Sequence, residues 1–304
     1  MRIVVHGQQA FGEAVLKALL DRGEDVVAVY CAPDREGRPA DPIKTLALEK
    51  GLPVYQPKSF KDPDVWAECE TLKPDIGVMA YVTKFVPEEF LGIPTHGTIQ
   101  YHPSLLPLHR GPSSINWPII MGSTKTGLSI FWPDKGLDTG PILLQKEVDI
   151  GPDDTLGSIY FNQLFPMGVD ALLEGIDMVR DGKAPKTVQD ESKQTYESWC
   201  RKDDAEIDWA KPAAEVYNLI RGTNPQPGAW TTHDGKVLQV FDSAASDATG
   251  GAPGEVIAID ESGITVAAGG GAVLVKRVRP EGDKKVTASD FVASSGIAVG
   301  AKFG

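Results

Sequence analysis

Short apolar runs separated by amphipathic stretches set the rhythm of the first 132 residues. Runs at 2–6, 25–30, 75–80, 98–101 and 128–132 are rich in Val, Ile, Tyr and Phe and read as strands. Between them Phe11, Ala14, Val15, Ala18 and Leu19 recur at helical spacing and Gly23 follows, which predicts a helix over 11–21. Helices are also expected over 43–50 and 64–72, the second after the start signal Asp62-Pro63. Strands without interrupting polar positions, alternating with helices, predict an α/β domain built on an open, mostly parallel sheet.

Beyond the last of these strands, Asp153-Asp154-Thr155 opens a helical stripe of Ile159, Val169, Leu172, Leu173, Ile176 and Val179, with Gly182 past its end. Pro166 lies inside the stripe and is expected to kink or split the helix. Residues 183–205 are polar and mixed in charge, the composition of a linker. A helix over 213–220 and β-like runs at 237–241, 254–259, 263–267 and 272–278 then predict a small antiparallel barrel or sandwich. The expected organisation is a first domain over 1–182, a linker over 183–205 and a second domain over 206–304.

Composition narrows the function classes. Hydrophobic residues make up 41% of the 304-residue chain and charged residues 24%, an ordinary globular balance. Thirty basic and 42 acidic side chains give a net charge of -12, which disfavours nucleic acid unless a local basic patch overrides it. Cys31, Cys69 and Cys200 are far apart and form no Cys-x-x-Cys pair, so neither a disulfide framework nor a metal site is expected. The apolar run after Met1 is too short for a signal peptide, and none approaches the ~18 residues of a membrane span. These features point to a cytoplasmic protein away from membranes.

Two stretches carry candidate chemistry. Gly7-Gln8-Gln9-Ala10-Phe11-Gly12 joins the first strand to the first helix, where a glycine turn either cradles an anion or makes a tight bend; it lacks the dinucleotide and phosphate-loop spacings. His102 stands just past a predicted strand, at the sheet edge where open α/β folds hold ligands. If the strands at 98–101 and 128–132 are neighbours, Asp138 in the glycine-rich turn 136–140 faces His102 as its orienting carboxylate. By spacing alone, a structural histidine and an aspartate that caps its own turn are the more ordinary account of the pair.

The stretch His102-Pro103-Ser104-Leu105-Leu106-Pro107, then Arg110-Gly111 and Gly136-Leu137-Asp138-Thr139-Gly140, resembles the signature of the folate-dependent formyltransferases. That family includes methionyl-tRNA formyltransferase, amino-sugar N-formyltransferases and the hydrolase domain of 10-formyltetrahydrofolate dehydrogenase. Ile115-Asn116-Trp117, Ser129-Ile130-Phe131-Trp132, Leu144-Gln145-Lys146-Glu147 and Pro152-Asp153-Asp154-Thr155 extend the resemblance, most of all to the hydrolase branch. It implies a Rossmann-like formyltransferase fold followed by a small OB-like β-barrel domain. It also implies 10-formyltetrahydrofolate as formyl donor, with no metal.

By the same resemblance, His102 and Gln100 serve the developing oxyanion and Asp138 orients His102. The folate would lie against Lys84, Phe85, Val86 and Pro87, the loop Ser104, Leu105, Leu106 and Pro107, and Gly136 and Leu137. Two positions depart from the pattern: Gln100 stands where the transferases carry Asn, and Leu108 where Arg is usual. Water is the expected acceptor, giving tetrahydrofolate and formate; methionyl-tRNA or an amino sugar is the alternative. A folate-binding sensor without turnover is the non-enzymatic reading. Against tRNA stand the three acidic residues within 34–41 and the nine basic against twelve acidic side chains over 206–304.

Overall fold

The computed structural model describes residues 1–304 and contains two compact units, each assembled from separate stretches of chain. The first comprises Met1–Gly111, Gly127–Glu147 and Gln163–Tyr196; the second comprises Pro112–Thr126, Val148–Asn162 and Glu197–Gly304. No helix is long and apolar enough to cross a membrane.

Seven strands form one sheet: β1 (Arg2–Gly7), β2 (Asp25–Tyr30), β3 (Val54–Tyr55), β4 (Ile76–Ala80), β5 (Thr98–His102), β6 (Lys125–Phe131) and β7 (Ile142–Asp149), in the order β3-β2-β1-β4-β5-β6-β7. The pairs β1–β2, β2–β3, β1–β4 and β4–β5 are parallel, and β6 runs antiparallel to β5 with His102 opposite Ser129. The α/β expectation therefore holds, and the strands that lead to His102 and Asp138 are neighbours. Strand order reverses direction at β1, the switch point at which such sheets open a crevice. The helices Pro42–Glu49 and Pro63–Thr71 both begin with proline after an aspartate whose carboxylate accepts a backbone N–H.

The helical stripe after Thr155 is broken, as Pro166 predicted. A short α-helix Leu156–Ile159 passes through a π-helical turn, Tyr160–Leu164, before the helix Phe165–Arg180, in which proline occupies the first turn where its missing N–H costs nothing. Residues 183–196 depart from the linker expectation, because they pack onto the sheet unit. Thr187 exchanges backbone hydrogen bonds with Ile142 at 3.0 and 2.8 Å, and Gln189 is 5% exposed.

In the second unit β8 (Ala229–His233), β9 (Lys236–Val240), β14 (Arg277–Pro280) and β15 (Val286–Thr287) make one four-stranded sheet. A second contains β10 (Ser243–Ser246), β11 (Val256–Asp260), β12 (Gly263–Ala268) and β13 (Gly271–Val275). Every pairing in both sheets is antiparallel. Trp209, Ile220, Leu238, Val256, Val266, Val275 and Phe303 share the buried core of this β unit.

One buried group on the first unit makes stability depend on pH. His6 is 2% exposed at the end of β1, stacked on Tyr30 at 5.1 Å with the rings of Phe60 and Phe90 at its sides, and its Nδ1 has no partner. Burial pushes its pKa down to about 3, against 6.5 for a free imidazole. Between those values the unfolded chain binds a proton that the native chain does not, so stability falls as the pH falls from 6.5 towards 3. At pH 5 the loss through this residue is about 2 kcal/mol relative to pH 7. Urea unfolding at both pH values should show His6→Phe losing about 2 kcal/mol less than the wild type on acidification. Equal losses in the two proteins would assign the pH dependence elsewhere.

Candidate active site

Strand alternation puts positions 100 and 102 of β5 on one face of the sheet and position 101 on the other. His102, 6% exposed, ends the strand, and its Nε2 lies 3.0 Å from the carbonyl of His109. A carbonyl can only accept, so this nitrogen carries the proton. The other ring nitrogen, Nδ1, faces Asp138 Oδ1 at 3.7 Å, too far for a direct hydrogen bond and well within Coulombic reach. It is the nitrogen left to exchange a proton. Asp138 is 8% exposed, and its second oxygen accepts the backbone N–H of Gly111 at 2.9 Å.

The loops that carry the pair are built from hydrogen bonds between polar side chains and backbone. Ser129 Oγ, opposite His102, donates to Ser104 O at 2.7 Å and accepts from Leu106 N at 3.1 Å and Gln145 Nε2 at 2.8 Å. Gln145 also donates to Leu106 O at 2.9 Å, so the loop after His102 is fixed along its length. Asp134 Oδ1 accepts from Gly136 N and Thr139 Oγ1 and closes the turn around Asp138. Gly140 ends that turn pressed on the chain: a Cβ there would lie 1.8 Å from the carbonyl oxygen of Trp132. Asp138 itself adopts φ +56°, a left-handed conformation that aspartate tolerates better than most residues.

The structure brings His102 and Asp138 together and leaves Gln100 half-buried on the same strand face. It distributes the expected folate residues unevenly. Phe85 and Leu137 are exposed apolar side chains at 57% and 56%, a surface on which a flat ring could lie. Lys84 is committed elsewhere: its Nζ donates to the carbonyls of Pro57 and Lys58 at 2.7 and 3.1 Å, and burial holds its pKa below the usual lysine value. Val86 and Leu106 are buried, Ser104 spends its hydroxyl on Leu108 O, and Pro87 precedes a short helix. Leu105 and Pro107 are half-buried, and Gly136 contributes backbone alone.

The glycine turn after β1 resolves toward a tight bend. The N–H of Gln9, which would greet an anion, is taken by the carboxylate of Asp41 at 2.8 Å, and Gly7 and Gly12 approach closely, a Cβ on Gly7 lying 3.2 Å from Gly12 Cα. A small cavity lies beside this turn, lined by His6, Gln8, Tyr30, Thr83 and Lys84; His102 and Asp138 do not line it.

A mostly parallel sheet thus carries a buried histidine–carboxylate pair at a strand end, and an antiparallel β unit follows in the chain. The family model described as Formyl transferase matches residues 1–170, and that described as Formyl transferase, C-terminal domain, matches 200–296. The chain belongs to the formyl transferase family, whose members are folate-dependent enzymes.

Methionyl-tRNA formyltransferase of Geotalea daltonii is 40% identical over 309 residues, covering 100% of this chain and 98% of that protein. Mitochondrial 10-formyltetrahydrofolate dehydrogenase of Mus musculus is 37% identical over 98% of this chain, which spans only 34% of the dehydrogenase. Among solved structures, an N-formyltransferase from Helicobacter canadensis superposes with a TM-score of 0.71 at 19% identity, over 90% of this chain and 98% of that one. HypX from Aquifex aeolicus, solved with tetrahydrofolic acid, gives 0.70 at 20% identity over 98% of this chain and 48% of that one. These two likenesses concern the fold.

Proposed function

We propose that the protein transfers the formyl group of 10-formyltetrahydrofolate to an amine, with methionyl-tRNA as the acceptor. The observation that carries this reading is the buried His102–Asp138 pair, on a chain that matches a methionyl-tRNA formyltransferase from end to end. The acceptor amine attacks the formyl carbon, a C–N bond forms, the bond to folate N10 breaks, and the proton lost by the amine ends on N10. With Nε2–H held by the His109 carbonyl, His102 meets the developing oxyanion through a second proton taken up on Nδ1, a contribution of about 2.7–4 kcal/mol for one such donor. Asp138 holds the imidazole and receives the amine proton, directly or through water. Gln100 supplies a second amide donor on the same strand face, and Phe85 and Leu137 offer apolar cover to the pterin.

In the second unit Lys202 and Arg279 line a groove of about 440 Å³ that also holds Glu281 and Asp283, and Lys285 sits over the nearby Phe241 ring. This local patch is the surface we assign to acceptor phosphates, against the acidic net charge of the whole chain.

Water is the second reading, favoured by Gln100 and Leu108 at positions where the transferases carry Asn and Arg, and by the identity to the dehydrogenases. One assay separates them. Purified protein with 10-formyltetrahydrofolate alone should release formate slowly, and adding charged initiator tRNA should speed loss of the formyl group at least ~10-fold and yield formylmethionyl-tRNA. Formate release at an unchanged rate, with no formylated tRNA, would make the protein a hydrolase.

A further inference from the structure

We propose that Arg110 and Gln189 are positioning residues, a buried clamp that fixes Asp138 against His102. This rests on the catalytic reading of Asp138 given above. Gln189 is 5% exposed, and its amide is fully used. Nε2 donates to Asp138 O at 2.9 Å and Gly140 O at 2.7 Å, while Oε1 accepts from Arg110 Nε at 3.2 Å and Nη2 at 2.7 Å. Carbonyls on one side and a guanidinium on the other leave the amide a single orientation.

Arg110, 3% exposed, is equally committed. Besides Gln189, its Nη1 donates to Glu191 Oε2 at 3.0 Å and Gln194 Oε1 at 2.7 Å, and its Nη2 to Glu191 Oε1 at 2.7 Å. Every N–H of the guanidinium has a partner, the condition under which a buried arginine is tolerated.

The geometry of this network concerns Asp138 at both ends. Gln189 holds the backbone carbonyl of Asp138, and the residue after Arg110 donates its N–H to the Asp138 carboxylate. Arg110 joins those two holds into one ring of contacts. The left-handed conformation at φ +56° is tolerated by aspartate but is one of several open to it, and the clamp holds the residue there. The clamp also explains why residues 187–194, far along the chain, lie folded against the loop of the catalytic carboxylate.

The simpler role, tying a polar segment to the surface, predicts a different pattern under substitution. Gln189→Glu keeps the acceptor for Arg110 and removes the N–H donors to Asp138 O and Gly140 O. Under the clamp, Q189E lowers kcat about 10-fold with the KM for 10-formyltetrahydrofolate nearly unchanged, since displacement of a catalytic group by a fraction of an ångström is costly. In the same variant, amide exchange measured by NMR at Gly111 accelerates about 10-fold or more, because its acceptor has moved. The second readout does not depend on activity, so it tests the clamp even if the formyl-transfer reading fails.

Lys193→Ala, on the exposed side of the segment, serves as the control and leaves kcat and Gly111 exchange unchanged. Arg110→Lys, which keeps the charge and loses the fork, should reproduce the Q189E pattern. Faster exchange confined to 187–196, with Gly111 protected as in the wild type, would overturn the proposal. So would a Q189E protein with wild-type kcat.

Discussion

Asp138→Asn is expected to lower turnover of 10-formyltetrahydrofolate by about 10²-fold or more while leaving the fold and donor binding nearly intact. Asparagine shares the tolerance of aspartate for the left-handed conformation that residue 138 adopts at φ +56°. Its side-chain oxygen can still accept the Gly111 N–H, which at 2.9 Å anchors the loop. What disappears is the charge 3.7 Å from His102 Nδ1 and the capacity to take a proton. His102→Asn should cost at least as much, since it removes the donor to the oxyanion as well as the group that Asp138 orients. Steady-state kcat and KM for both variants, with thermal unfolding as a check on folding, provide the measurement. Turnover within a few-fold of the wild type in either variant would remove the pair from the mechanism. A loss confined to KM would make it a binding element.

The apolar runs located the residues behind that prediction at strand ends, and the resemblance of 102–111 and 136–140 to the formyltransferase signature gave them their roles. Strands β5 and β6 are both covered, so their composition is continuous and their positions are easily read. The turn at 136–140 announces itself by its glycines. Other parts were hidden for physical reasons. β3 is only two residues long and owes its pairing to β2 rather than to its own pattern. The β8–β9 hairpin turns on Asp234-Gly235, a signal present in the sequence, but the half-exposed strand before it alternates too weakly to stand out.

The 183–196 segment was the most misleading. Its composition is that of a linker because Gln189, Glu191 and Gln194 are buried, or anchored, by satisfying one arginine rather than by apolar contact. Hydrophobic patterning is blind to that kind of burial. Lys84 illustrates the converse: a basic residue beside a suspected ligand surface turns out to hold two backbone carbonyls.

Phe11→Ala should be the most damaging single truncation beneath the site, costing about 3–5 kcal/mol of stability. Phe11 is 2% exposed and packs its ring 4.4 Å from that of Tyr101, with Phe165 edge-on at 5.3 Å. Tyr101 lies between Gln100 and His102 on the opposite face of β5, so this stack forms the floor under the catalytic strand. The other wall is the helix Phe165–Arg180, which approaches so closely at Gly168 that a Cβ there would lie 2.5 Å from the Tyr101 ring. A site packed that tightly cannot collapse cheaply around a missing ring, which places the expected loss at the upper part of the range for phenylalanine.

Urea unfolding followed by a probe in the sheet unit should show a lower midpoint with little change in slope. Turnover should respond as well as stability. If Tyr101 settles into the space left by Phe11, β5 shifts with it and kcat of the folded variant falls, whereas Phe11→Leu, which refills most of the volume, retains more of both stability and turnover. A Phe11→Ala protein that loses stability and keeps full kcat would mean that the strand ladder and the His109 carbonyl hold His102 in place without the aromatic floor.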